Sequence, residues 1–317
     1  MPVIAVDFGG TNIKMGIVEQ GKVLISQHIP ARSQDGIRNR LPEVEAAVAQ
    51  MLEALRITLA DCQGVGIAIP GIVHFDKQYV ISINKKYDDA VTVNFQQWSR
   101  EAFGLPIVMD NDMNCAILGE THYGCAVGVE NAVSLSFGTG MGTAAVINGK
   151  LLRGKHFQAG CLGGHLTVDI DGPLCTCGNR GCVEAHAATW AIPMVARSRE
   201  GFARSRLCKQ PTIDYKSVME CAELGDEFSR ELYGFLLKCW GAGIVNLIHA
   251  YDPETVILSG GLMKEKDKIL PHLEAYVAQY AWTPWGKVNF LVAENPDDSV
   301  LMGLCYLHET MIQGGKV

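Results

Sequence analysis

Residues 5–24 read AVDFGGTNIKMGIVEQGKVL, and residues 134–152 read SLSFGTGMGTAAVINGKLL. Each stretch runs from an apolar strand through a Phe-Gly turn into a second strand, then through a Gly-Lys turn into a third. The two copies differ by about one residue in length. A glycine-bearing hairpin is common in α/β proteins, so either copy alone says little. Two copies in one chain point to two related halves, each presenting a glycine loop.

Strands alternate with helical patterns outward from these copies, which predicts an α/β fold. Val44, Val48, Met51, Leu52, Leu55 and Leu59 recur at helical spacing over 42–60. Gly64–Ile69 and Pro106–Met109 read as strands, and a helix follows Asp110-Asn111-Asp112 to about Tyr123. The second half predicts helices over 186–200, 214–223, 226–250 and 263–281, strands over 256–258 and 288–292, and a closing helix over 299–311. Gly314-Gly315 predicts a frayed end.

The 317 residues carry a net charge of -7, with 48% hydrophobic and 19% charged side chains. This is the balance of a packed protein of about two domains. An acidic chain lacks the basic excess of a broad nucleic-acid surface, so a small-molecule partner is expected. No apolar run approaches the ~20 residues of a membrane span. The first residues show no basic-then-apolar pattern, so no signal peptide and a cytoplasmic location are expected.

The glycine loops point to phosphate. Asp7-Phe8-Gly9-Gly10-Thr11 sets a carboxylate at a strand end beside two residues without Cβ, which lets backbone N–H groups approach an anion. Phe137-Gly138-Thr139-Gly140-Met141-Gly142-Thr143 repeats that chemistry, and Ser259-Gly260-Gly261 is a third glycine turn after a strand. No G-x-x-x-x-G-K-[ST] occurs, which excludes a P-loop. Thr143 stands where a dinucleotide fingerprint needs its third glycine, and the loop joins two strands, so a nicotinamide site is disfavoured.

Asp110-Asn111-Asp112 lies between a strand and a helix, where Asx residues cap helices. Capping explains one of the three. Phosphoryl transfer to a hydroxyl needs a carboxylate to orient the acceptor and take its proton, and Asp112 is the candidate base. Further on, His165, Cys175, Cys177 and Cys182 spell H-x9-C-x-C-x4-C, the donor set of a tetrahedral zinc site, with Gly178 and Gly181 for the turns. Disulfides are disfavoured: Cys175 and Cys177 would close a strained ring, and a cytosolic compartment opposes pairing. No open ligand position is evident, so the zinc is expected to be structural. The other eight cysteines read as buried thiols.

With DFGGTNIK at 7–14, GVGIAIPGIV at 64–73, NDMNCAILGE at 111–120, FGTGMGT at 137–143, the zinc segment at 165–184 and ILSGGLM at 257–263, the chain resembles the ROK family of bacterial sugar kinases. The resemblance spans nearly the whole chain. It implies a two-lobed actin-like ATPase (ribonuclease H-like) fold with a cleft between the lobes. The small N-terminal lobe would be 1–115, completed by a C-terminal helix at about 300–317, and the large lobe with the zinc loop would be 116–299. It implies ATP-dependent phosphorylation of a hexose hydroxyl, with ATP, Mg²⁺ and structural Zn²⁺, and a homodimer. By position, Asp112 resembles the base, and Asn84, Asn111, His165 and Glu184 the sugar contacts. Asp7 and Thr11 would serve Mg²⁺ and phosphate, together with Gly9, Gly10 and Lys14. Gly138, Thr139 and Gly140 would hold phosphates, and Gly260 and Gly261 would lie near the adenosine.

One departure bears on the sugar. The family has A-G-E-x-G-H before the zinc histidine, and that glutamate grips sugar hydroxyls. Here Ala159-Gly160-Cys161-Leu162-Gly163-Gly164-His165 is one residue longer and holds Cys161 or Leu162 in its place. The expected substrate therefore differs from glucose, N-acetylglucosamine and N-acetylmannosamine at that edge, as a ketohexose or an epimeric aldohexose does. If Glu184, Asn84 and Asn111 suffice, glucose remains the substrate. The alternative to a kinase is a catalytically weak or inactive ROK-type sugar-binding or regulatory protein. The family's regulators carry a winged helix-turn-helix ahead of the first lobe, and none is expected with a first strand at Val3.

Overall fold

The computed structural model describes residues 1–312, so the end expected to fray at Gly314-Gly315 lies outside the described residues. The chain divides into two compact units. The first comprises Met1–Ser134, Ala144–Cys161 and the segment from Ala293; the second comprises Leu135–Thr143 and Leu162–Val292.

In the first unit, β1 (Val3–Phe8), β2 (Asn12–Glu19) and β3 (Lys22–Pro30) form an antiparallel meander. After α1 (Leu41–Leu55), β4 (Gly64–Ile69) pairs parallel to β1. A hairpin, β5 (Gly71–His74) and β6 (Tyr79–Ile83), and then α2 (Phe95–Ala102) precede β7 (Ile107–Asn111), which pairs parallel to β4 and runs directly into α3 (Asp112–His122). The sheet order is β3-β2-β1-β4-β7. β1 and β4 are buried at every residue, which is why they read as unbroken apolar runs, whereas edge strand β3 alternates. The helix expected over 42–60 stops at Leu55. Arg56 turns left-handed, and the Thr58–Asp61 capping box starts a separate 3-10 turn.

The second copy of the motif supplies β8 (Ala132–Phe137), β9 (Met141–Ile147) and β10 (Lys150–Leu151). The remaining elements are α4 (Val183–Ala187), α5 (Ile192–Ser198), α6 (Tyr215–Glu223), α7 (Glu227–Tyr251), β11 (Thr255–Ser259), α8 (Lys266–Tyr280), β12 (Asn289–Val292) and α9 (Pro296–Ile312). The second sheet has the order β10-β9-β8-β11-β12, the same succession as β3-β2-β1-β4-β7. The duplication inferred from residues 5–24 and 134–152 thus extends to five strands.

Two further helical stretches and the domain division differ from the sequence expectation. The stretch 186–200 is two helices, because Ala188 leaves the helical region and Pro193 starts a new first turn. The stretch 263–281 begins as a 3-10 turn at Gly261–Glu265 and becomes α-helical at Lys266. The division expected at residue 115 falls later, because α3 packs along α9. A Cβ on Gly119 would stand 2.0 Å from the Ser299 carbonyl oxygen, and one on Gly303 would stand 1.8 Å from that of Cys115. Backbone contact this close keeps both helices in the first unit. Among the described residues no helix is long and apolar enough to cross a membrane.

Candidate active site

The first glycine loop follows Asp7, whose side chain β1 carries into a buried position. Asp7 is 6% exposed, and its Oδ1 has no hydrogen-bond partner. Burial, followed by the charge of Asp112, pushes its pKa up to about 7 against the opposing pull of Lys14 and Lys86. Gly9 is required by contact, since a Cβ there would lie 2.7 Å from the Asn12 carbonyl oxygen. The Tyr87 hydroxyl donates to the Gly9 carbonyl at 3.0 Å and fixes the loop from below. A cavity of about 420 Å³ opens beside it, lined by Asp7, Gly9, Gly10, Thr11, Lys14 and Asp297, among others. All five expected residues of this loop therefore share one cavity. Thr11 is exposed, and Lys14 is ion-paired to Asp297. A buried, unsatisfied carboxylate oxygen beside glycine backbone fits a hydrated Mg²⁺ next to phosphates.

At the β7–α3 junction the three Asx residues take separate roles. Asn111 is the N-cap of α3: its Oδ1 accepts from the backbone N–H of Met113 at 2.9 Å and of Asn114 at 3.3 Å. Its amide nitrogen donates to the Gly71 carbonyl at 3.0 Å, and its side chain also hydrogen-bonds the Asp112 carboxylate. Asp110 is buried, and its Oδ2 accepts from Arg153 Nε at 2.9 Å and Nη2 at 2.7 Å. Its Oδ1 takes the Asn111 N–H at 2.7 Å and the Asn114 amide at 2.9 Å. The Arg153 guanidinium also lies 3.8 Å over the centre of the Phe75 ring. Asp112, at the first position of α3, is the carboxylate of the two that makes no ion pair with Arg153; the Met113 N–H and the Asn111 side chain donate to it. Burial raises its pKa, while the Met113 N–H and the Lys86 charge pull it down. A carboxylate above its ordinary range at a helix start is suited to accept a proton.

Asn84 is exposed one residue past β6. Cys161 is half-buried in the first unit. Burial and then the charges of Asp112 and Asp110 push its thiol up to about 11. Leu162, the other replacement for the family's glutamate, is 39% exposed.

The second glycine loop is braced from α4 and the residues after it. The Gly138 carbonyl accepts from the Thr189 N–H at 3.3 Å and its hydroxyl at 2.8 Å. Glu184 Oε2 accepts from the Met141 N–H at 3.0 Å, and Oε1 from the Trp190 indole at 3.2 Å. A Cβ on Gly140 would stand 2.7 Å from Glu184 Oε2, so glycine there admits the carboxylate. Gly260, at φ 90°, would bring a Cβ within 2.4 Å of the Phe137 carbonyl oxygen, whereas Gly261 faces open space. Gly138, Thr139, Gly140, Glu184 and Gly260 thus gather around the β8–β9 turn.

His165, Cys175, Cys177 and Cys182 converge, with their donor atoms all within 4.8 Å of one another. Cys175 Sγ is 3.6 Å from His165 Nδ1, and Cys177 Sγ is 3.7 Å from Cys182 Sγ. The edges of a tetrahedron with zinc's usual bonds are roughly 3.5–3.8 Å, so the four donors fit that ion. All three cysteines are free thiols. Gly178 (φ 91°) and Gly181 (φ 66°) make the turns between them, and a Cβ on Gly181 would strike the Asp169 carbonyl oxygen at 1.5 Å. Cys182 is also the N-cap residue of α4, two positions before Glu184.

Residues 3–311 match the ROK family. The chain belongs to the ROK family. A glucokinase from Halalkalibacterium halodurans is 30% identical over 293 residues, 88% of this chain and 86% of its own. The crystal structure of a ROK hexokinase from Thermus thermophilus superposes with a TM-score of 0.79 at 26% identity, covering 99% of this chain and 100% of that one. A ROK family glucokinase from Streptomyces griseus, solved in complex with glucose and AMPPNP, gives a TM-score of 0.78 at 27% identity over 97% and 99%. Within this ROK chain, three residues at the first loop escaped the sequence reading: Lys86, Tyr87 and Arg153. None lies in a glycine or Asx motif. Only the fold brings residues 86–87 and 153 to the ends of β1 and β7.

Proposed function

We propose that this protein transfers the γ-phosphoryl group of ATP to a hydroxyl of a hexose. It is an ATP-dependent sugar kinase, in keeping with its family relatives. The observation that carries the residue assignment is Asp112 itself, which starts α3 with a raised pKa in the same unit as Asp7 and the first glycine loop.

In this reading Asp112 accepts the proton of the attacking hydroxyl as the sugar oxygen–phosphorus bond forms. The bond from the γ-phosphorus to its bridging oxygen breaks, and its electron pair leaves on ADP. Backbone N–H groups of Gly9 and Gly10, and of Gly138, Thr139 and Gly140, meet phosphate oxygens, with Gly260 and Gly261 beside the nucleoside. Asp7, with its unsatisfied oxygen, and Thr11 would hold hydrated Mg²⁺, which when bound neutralises charge on the phosphates. Asn84, Asn111, His165 and Glu184 are assigned to the sugar. His165, Cys175, Cys177 and Cys182 would hold a structural zinc that sets the start of α4 and so the position of Glu184.

The second reading, a sugar binder with weak or no turnover, is favoured by one feature: Cys161 or Leu162 stands where the family has a sugar-gripping carboxylate. Losing a hydrogen bond to a charged group costs roughly 1.5–3 kcal/mol, enough to weaken glucose ten- to a hundredfold. A coupled ADP-release assay across glucose, mannose, allose, fructose, N-acetylglucosamine and N-acetylmannosamine separates these readings. Turnover with at least one hexose is expected, with glucose not first. Glucose leading tenfold or more removes the specificity argument, and sugar binding without ADP release with any of them supports the binder.

A further inference from the structure

We infer that Lys86 is a catalytic residue of this site, its ammonium meeting the transferring phosphoryl group over Gly10 of the first glycine loop. The inference rests on the kinase reading above.

Geometry makes the case. A Cβ on Gly10 would stand 2.6 Å from Lys86 Nζ, 2.8 Å from Cε and 3.2 Å from Cδ. The end of the lysine chain is therefore laid across Gly10, in the space that any other residue there would occupy. Its neighbour in sequence is held to the same loop. The next residue, Tyr87, is fully buried, donates its hydroxyl to the Gly9 carbonyl at 3.0 Å, and takes its own N–H to the Ser33 carbonyl at 2.9 Å. The Tyr87 ring stands edge-on to Phe8, the residue between Asp7 and Gly9. Lys86 is thus anchored at its root to the loop that its tip covers.

The chemistry requires a cation there. Asp7 and Asp112 are both acidic, and a triphosphate adds further negative charge. Phosphoryl transfer depends on preorganised positive groups at the γ-phosphate. Among the described residues, Lys14 and Arg153 also lie in this unit, and both are engaged: Lys14 with Asp297 and Arg153 with Asp110. The Lys86 charge also acts on both Asp7 and Asp112, favouring the ionised form of each. Its role is electrostatic: as the bridging bond breaks and the hydroxyl proton passes to Asp112, the ammonium stabilises the equatorial phosphoryl oxygens without itself losing a proton.

Lys86→Met and Lys86→Arg in the full chain test this, using the best sugar of the panel and Mg–ATP. For Lys86→Met, kcat is expected to fall about 10²–10³-fold, the usual effect of removing one transition-state donor. Sugar affinity measured without nucleotide and the thermal midpoint should stay near wild type. Lys86→Arg should recover at least tenfold of the loss. With the lysine charge gone, the acid limb of the kcat/KM pH profile should move upward, because Asp112 loses a neighbour that favours its ionised form. A kcat for Lys86→Met within twofold of wild type overturns the inference, as does a loss confined to the sugar KM. Failure of the wild-type chain to release ADP with any sugar is a different result, and it overturns the kinase reading itself.

Discussion

The first glycine loop leaves its strand through Val6-Asp7-Phe8-Gly9; the second leaves through Leu135-Ser136-Phe137-Gly138. The strands around them follow the same order, yet a carboxylate stands in one copy where a hydroxyl stands in the other. The contrast continues at the fifth strand. β7 ends in Asp110-Asn111-Asp112, with Asp110 locked to Arg153 and Asp112 held at the helix start. β12 leads instead through Glu294-Asn295 into α9, which packs against α3. The first unit has concentrated charge: Asp7, Lys86, Asp112, and Arg153 from just past β10. The second has a neutral glycine turn braced by Glu184 and a thiol-rich loop. Duplication supplied two similar scaffolds, and a few side chains at strand ends separate the chemistry of one from the packing of the other.

The largest expected effect lies in the second copy. Cys177→Ser, or strong chelation, should abolish metal content and turnover together, because a structural zinc contributes folding free energy directly. Metal analysis of protein purified without added zinc should give about one ion per chain. Fully active, metal-free protein would remove the zinc from this account and leave the loop held by its turns alone.

Next is the base proposed in the first copy. Asp112→Asn keeps shape and hydrogen bonding but cannot take a proton, so kcat should fall about 10²–10⁴-fold with sugar binding largely kept. Since burial raises its pKa, activity should be lost on acidification at a higher pH than an ordinary carboxylate would give. Full kcat in this variant would end the distinction between Asp112 and its capping neighbours.

Asp7→Ser makes the first loop resemble the second. Asp7 holds its proton up to about pH 7 in the folded chain, against 3.8 as the ordinary value. Between these values the folded state binds a proton that the unfolded state has released, so stability falls as pH rises through this window and stays lower above it. The loss is on the order of 4 kcal/mol by that linkage. Urea unfolding without nucleotide or metal should show wild type weaker at pH 8 than at pH 5, a difference that Asp7→Ser diminishes while reducing turnover. Equal pH dependence in the two proteins would mean that Asp7 is not strained by its burial.

The smallest effect separates two adjacent glycines. Gly260→Ala should cost about 1–3 kcal/mol, since φ is 90° and the new Cβ meets the Phe137 carbonyl. Gly261→Ala faces open space and should be nearly neutral in stability. Thermal unfolding of both variants measures the difference.

Sequence by itself determined whatever depends on local pattern: the two strand–glycine–strand copies, the buried runs of β1 and β4, the four donors of the metal loop within 18 residues, and the cap and base candidates at 110–112. Hydrophobic periodicity, glycine conformational freedom and ligand spacing are short-range properties, and they survive in a linear string. Tertiary structure alone decided the rest. It assigned Asp110 to Arg153, 43 positions away. It laid Lys86 over Gly10, committed both oxygens of Glu184 to Met141 and Trp190, and kept α3 with α9 through the facing glycines 119 and 303. Those partners are distant in sequence. Charge and close backbone contact act through space, and no periodicity along the chain marks them before it folds.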